Sequence, residues 1–148
     1  MEMDIYDRYE RDAEEHLAAY GLRVGADQVP TIREVLARET RHEADTYAGL
    51  GTVPGNTALM RICAVQLWHA GAVEDALLIH RARRTSMDAT GALDGELMLG
   101  AGVARTRAYL ATLGTEEARE VLNQIAWVEE SYDAERYAAF VSTYYRIA

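Results

Sequence analysis

The chain has 148 residues, 49% hydrophobic and 26% charged, with a formal net charge of −9 and a pI near 4.9. That length suits one hydrophobic core and is marginal for two, so a single helical domain over residues 1–148 is expected. The acidic balance argues against nucleic acid, whose affinity comes mainly from Lys and Arg on phosphates, and favours a basic protein partner or plain solubility.

In chain order, helical periodicity dominates and turn residues fall between the periodic runs. A first helix is predicted over 3–20, with the stripe Ile5, Tyr9, Ala13, Leu17 and Tyr20 and a stop at Gly21. After GLRVGADQ, Asp27 is the expected N-cap of a second helix, with Pro30 in its first turn, running to about residue 47 or 49. GLGTVPGN is a loop. A third helix over about 56–69 is apolar nearly all round, with Arg61, Gln66 and His69 as its few polar positions, which marks it as the central, most buried element. A fourth follows at 73–84 and a short one at 92–99. The fifth, over 102–113, ends at Gly114, and Thr115 caps the sixth. A last helix over 133–147 places Tyr137, Phe140, Val141 and Tyr144 on one face, with Tyr145 off the stripe and hence exposed. No segment alternates with period two, so no sheet is predicted. The fold class is all-α: six or seven helices packed as antiparallel hairpins, an irregular bundle or a short α-solenoid.

All 15 basic residues are Arg; with so much Ala and Gly, this is the codon signature of a high-GC bacterial genome. Cys63 is the only cysteine, which excludes an internal disulfide, and its place in ALMRICAVQLW predicts a buried structural thiol. MEMDIYDRYERD has no signal-peptide pattern and no apolar stretch approaches the ~20 residues of a membrane span, so a cytoplasmic protein with no membrane contact is expected.

The stretch VEDALLIHRARRTSMDATGALDGELMLGAGVARTRAYLATL, Val73 to Leu113, resembles an uncharacterised family of bacterial all-helical proteins. The shared pattern is a DALLI helix, a basic stretch, Ser-Met-Asp, and an LGAGV turn leading to Tyr-Leu. The resemblance implies helices in this block and brings no activity, cofactor or functional residue.

Two constellations bear on chemistry. On the second helix, the stripe Ile32, Val35, Leu36 continues to Glu39, His42 or Glu43; on the first, Asp12 and His16 lie four apart beside the apolar stripe. Paired antiparallel, the two helices bring Asp12, His16, Glu39 and His42 together, with Glu43 one turn on, as candidate ligand-binding residues. Glu39 and His42 form one E-x-x-H, half of a di-iron carboxylate pattern; the second half is missing, so neither a metal nor a cofactor is predicted. The alternative is an ordinary solvated face with local ion pairs.

The second constellation is HRARR, where Arg81, Arg83 and Arg84 are anion-binding candidates or, the reading that common helix-end cations favour, simply end a helix. LGAGV lacks the Gly-Lys-Ser/Thr ending and the preceding strand of a phosphate loop. The aromatic residues of the last segment are core or, in part, an interface.

Two functions follow as expectations. The first is a non-enzymatic protein-interaction module of a bacterial cell, binding a basic partner in the manner of an immunity or antitoxin-like protein, or self-associating. The second is a small helical enzyme or ligand-binding protein with an inter-helix pocket lined by Asp12, His16, Glu39 and His42.

Overall fold

The computed structural model describes residues 4–51 and 53–146, and every element in it is helical. Eight α-helices follow one another: α1 (Ile5–Tyr20), α2 (Val29–Tyr47), α3 (Thr57–Ala70), α4 (Asp75–Arg83), α5 (Met87–Ala92), α6 (Val103–Leu113), α7 (Glu116–Ile125) and α8 (Ala134–Tyr144). Short 3-10 turns occupy Ala26–Gln28 and Gly95–Leu99. No strand occurs among the described residues. The predicted start of the first helix at residue 3 and the end of the last at 147 lie outside them.

The central place of α3 follows from its composition. Asn56 caps it, its side-chain oxygen accepting from Leu59 N at 3.1 Å. Met60, Cys63, Ala64 and Val65 are wholly buried. With no wide polar face, α3 gains most by being covered all round, and it is packed by α1, α2, α4, α5 and the 95–99 turn. At its far end Gly100 comes so close that an added Cβ would lie 2.6 Å from the Trp68 carbonyl oxygen, which only glycine permits. The buried apolar side chains form a single cluster, from Ala13 in α1 to Val141 in α8.

The hairpin of α6 and α7 turns at Gly114, and Thr115 caps α7 by accepting from Ala118 N at 3.1 Å. Three expectations need correction. The short helix placed at 92–99 is two elements: α5, capped by Ser86, which accepts from Ala89 N, and then the 3-10 turn. Leu93, fully buried in an extended conformation, interrupts them. At the start of α2, Gln28 rather than Asp27 stands in the cap position, because a 3-10 turn precedes Val29. In α8, Tyr145 is half-buried against the core, whereas Phe140 and Tyr144 are 50% and 56% exposed. The helix docks through Tyr137 and Val141, and that choice of face turns Phe140 outward.

Among the described residues no helix is long and apolar enough to cross a membrane.

Candidate functional site

Residues from α1 and α2 converge on a cleft of about 470 Å³. Asp12, His16 and Tyr20 reach it from α1; Val35, Arg38, Glu39 and His42 from α2; Leu59 of α3 also lines it. The spacing that sequence periodicity suggested thus brings Asp12, His16, Glu39 and His42 to one place. Glu43 does not join them. One helical turn beyond Glu39, it is buried on the side of the loop and of α5.

The two buried glutamates of α2 have a clear task. Glu39 Oε1 accepts from Asn56 N at 2.9 Å, and Glu43 Oε1 from Gly55 N at 3.1 Å. Both N–H groups lie at the entry to α3, where amides have no helical partner and a negative charge is favoured. Glu43 Oε2 also accepts from Ser86 Oγ at 2.7 Å, linking α2 to the start of α5. Gly55 is held so close to α2 that a Cβ there would lie 2.5 Å from the Glu39 carbonyl oxygen. Asn56 Nδ2 donates to the Tyr9 carbonyl oxygen, and the Tyr9 hydroxyl donates to the Pro54 carbonyl. Burial and the Glu39 charge push the Tyr9 phenol pKa up, so it stays a donor. The 53–56 strap between α2 and α3 is therefore tied to α1 and α2 by hydrogen bonds, and it forms one rim of the cleft.

Glu39 Oε2 is engaged by Arg38 Nε at 2.8 Å, with His42 Nδ1 at 3.8 Å. Among the described residues no group of three or more His, Cys, Asp or Glu side chains is placed to hold a metal ion.

His16 is oriented by a residue that sequence reasoning noted only as a polar interruption of α3. Its Nε2 lies 2.9 Å from Gln66 Oε1. Gln66 is wholly buried, and its Nε2 donates to the Gly21 carbonyl oxygen at 2.7 Å. A carbonyl oxygen only accepts, so the amide nitrogen of Gln66 must face Gly21 and the amide oxygen must face the imidazole. His16 Nε2 therefore carries a proton. In the neutral ring, the lone pair is on Nδ1, which makes no hydrogen bond among the described residues. The Tyr20 ring flanks the imidazole at 4.8 Å between centroids. Cys63 Sγ lies 3.8 Å from His16 Nε2, but burial pushes its pKa up to about 12 and it stays a thiol.

The basic residues of α4 are dispersed onto separate partners. Arg81 makes a two-pronged contact with Glu117, 2.9 Å from Nε and 2.6 Å from Nη2. Arg84 Nη1 reaches Glu120 at 3.2 Å, where His80 Nε2 also sits at 3.3 Å. Arg83 Nε donates to the Leu93 carbonyl at 2.8 Å; burial pushes its pKa down, while the charges of Asp94 and Glu96 oppose that shift. The neutralising carboxylates in contact are thus Glu117 and Glu120 of α7, not the nearby Asp88, Asp94 or Glu96.

The C-terminal aromatics divide by role. Trp68 of α3 meets Tyr137 edge-on at 5.1 Å and donates from Nε1 to the Tyr132 hydroxyl at 3.0 Å. Arg61 lies 4.0 Å over the Tyr144 ring, a cation–π contact. Trp127, in the turn after α7, is 86% exposed.

No family model matches the chain, and no curated protein or solved structure shows significant similarity to it.

Proposed function

We propose that this chain is a ligand-binding protein whose site is the cleft between α1 and α2. One observation carries the reading: four polar side chains from two helices converge on an open cavity, and one of them, His16, is held in a single tautomer by a buried amide. Solvated faces do not require a buried glutamine to orient their histidines. Pre-set polar groups above an apolar floor are what small-molecule sites share. Val35 and Leu59 supply such a floor, and about 470 Å³ accommodates a small organic molecule.

Protein-observed NMR with a mixed panel of small amines, carboxylic acids, alcohols and phosphates tests the reading. Compounds that bind are expected to shift the amides of Asp12, His16, Val35, Glu39 and His42, and His16→Ala is expected to reduce those shifts. A panel that leaves these amides unmoved would overturn it.

A second reading, the interaction module, is favoured by the exposure of Trp127 together with Phe140 and Tyr144. Large aromatics anchor interfaces. In its self-associating form, sedimentation across a concentration series is expected to show a dimer that Trp127→Ala abolishes. A monomer at every concentration would remove that form.

A further inference from the structure

The donors and acceptors of the cleft are unequally spent, and the imbalance describes a ligand. Three carboxylates, those of Asp12, Glu15 and Glu39, and a single guanidinium, that of Arg38, line it. Arg38 and Glu39 pair with each other, so the two carboxylates of α1 are the excess charge. Asp12 and Glu15 are exposed and make no hydrogen bond or ion pair among the described residues. An ionised carboxylate only accepts. His16, with Nε2 committed to Gln66, adds a third unspent acceptor in Nδ1. On the donor side, the Tyr9 hydroxyl is given to Pro54 and Arg38 Nε to Glu39, which leaves the Nη groups of Arg38 as donors but balances its charge. Beside these acceptors stand the Tyr20 ring and the apolar side chains of Val35 and Leu59.

We infer that the cleft takes a small organic cation: a protonated amine carrying an apolar or aromatic body. This rests on the cleft being a ligand site, as proposed above. The ammonium donates to the α1 carboxylates and to His16 Nδ1, while its hydrocarbon part lies on Val35 and Leu59 beside the Tyr20 ring. An ammonium matches three acceptors with three N–H donors and cancels part of the excess charge. A carboxylate or phosphate of the same size would face the two unpaired carboxylates of α1, and the Arg38 charge that could hold it is already balanced by Glu39.

Three probes of similar shape isolate the claim: benzylamine, benzyl alcohol and benzoate, titrated into the full chain at neutral pH and followed by NMR and calorimetry. Benzylamine is expected to bind and shift the amides of Asp12 and His16, and the other two are not. Asp12→Asn and Glu15→Gln, both at exposed positions that leave the fold intact, are each expected to weaken benzylamine by about threefold, the scale of one exposed ion pair. Benzyl alcohol or benzoate binding as tightly as benzylamine at the same residues would overturn the cation assignment and leave the cleft reading standing. Absence of binding by benzylamine would also overturn it, and the wider panel then decides separately whether the cleft binds anything.

Discussion

Gln66 and His16 meet at 2.9 Å, and the direction of that hydrogen bond is set from the other end of the glutamine, where Nε2 gives its proton to the Gly21 carbonyl. A buried amide in the central helix thereby decides which nitrogen of a cleft histidine is basic. Gln66→Met, close in volume and without polar atoms, is expected to remove that control. It leaves the Gly21 carbonyl without the amide donor, so a stability loss of about 1–3 kcal/mol should appear in urea denaturation. Ligand affinity should fall further than stability explains, because His16 is then free to change tautomer. Unchanged affinity in a folded Gln66→Met protein would separate Gln66 from the site.

Glu43 is expected to act on stability rather than on binding. Glu43→Ala deprives the Ser86 hydroxyl and the Gly55 N–H of their buried acceptor, at a cost of about 3 kcal/mol. Glu43→Gln keeps an acceptor and should lose less. A fall below about 1 kcal/mol for the alanine variant, measured by urea denaturation, would mean that water replaces the carboxylate there.

Two glycines should respond to alanine with opposite signs. At Gly55 the added methyl meets the backbone oxygen of Glu39 at 2.5 Å and Glu43 Cβ at 2.9 Å, so the strap must move, with a loss of about 1–3 kcal/mol. At Gly91, inside α5, nothing lies within 4 Å of the new atom, and Gly91→Ala should gain up to about 1 kcal/mol of helix propensity. Thermal melting of both variants checks the pair, and stabilisation by Gly55→Ala would contradict the described approach of strap to helix.

How much of this was legible in the sequence differs element by element. The unbroken apolar run of α3 announces a covered helix, and helical spacing places Glu39 and His42 near the buried face of α2, while their meeting with α1 required the added assumption of antiparallel pairing. Spacing cannot tell which loop amide a buried carboxylate will meet, since Glu39 and Asn56 become neighbours only when the intervening loop closes. It also could not separate Glu43 from the cleft set. The start of α5 carried a usable signal, Ser86 followed by Asp88 as cap and first-turn acid, whereas the helix was expected only from residue 92. Gln66 had one too: a long amide in an otherwise apolar stretch must find partners for both ends. For Tyr145 and Phe140 the helical stripe is ambiguous, and the docking face of α8 is set by Trp68 and Asp94, far away in sequence.

Trp68 should be the costliest core position. Trp68→Ala is expected to lose roughly 3–5 kcal/mol, through the cavity beside Tyr137 and the loss of the hydrogen bond to the Tyr132 hydroxyl, which keeps only the Leu99 carbonyl as partner. Trp68→Phe, which keeps much of the volume, should lose less. Urea denaturation of the two variants measures the difference, and equal losses would show that ring volume is not what matters there.

His69 sets a pH dependence. Burial, with the Arg23 charge adding to it, pushes its pKa down to about 4 from the ordinary 6.5. In the unfolded chain the ring takes up a proton near 6.5 and in the folded chain only near 4. The stability this residue contributes is therefore complete above pH 6.5 and is lost as pH falls from 6.5 towards 4. Urea denaturation across that window should show a decline that His69→Gln flattens; an unaltered decline in the variant would assign it to other groups.

The most direct test of the cleft is the nitrogen spectrum of the His16 ring in labelled protein, recorded with and without benzylamine. The account predicts that the neutral form of the ring carries its proton on Nε2 in the free protein, with the unprotonated Nδ1 resonance moving when the amine is added. A ring protonated on Nδ1, or an Nδ1 resonance that stays fixed while the amine binds, would contradict it.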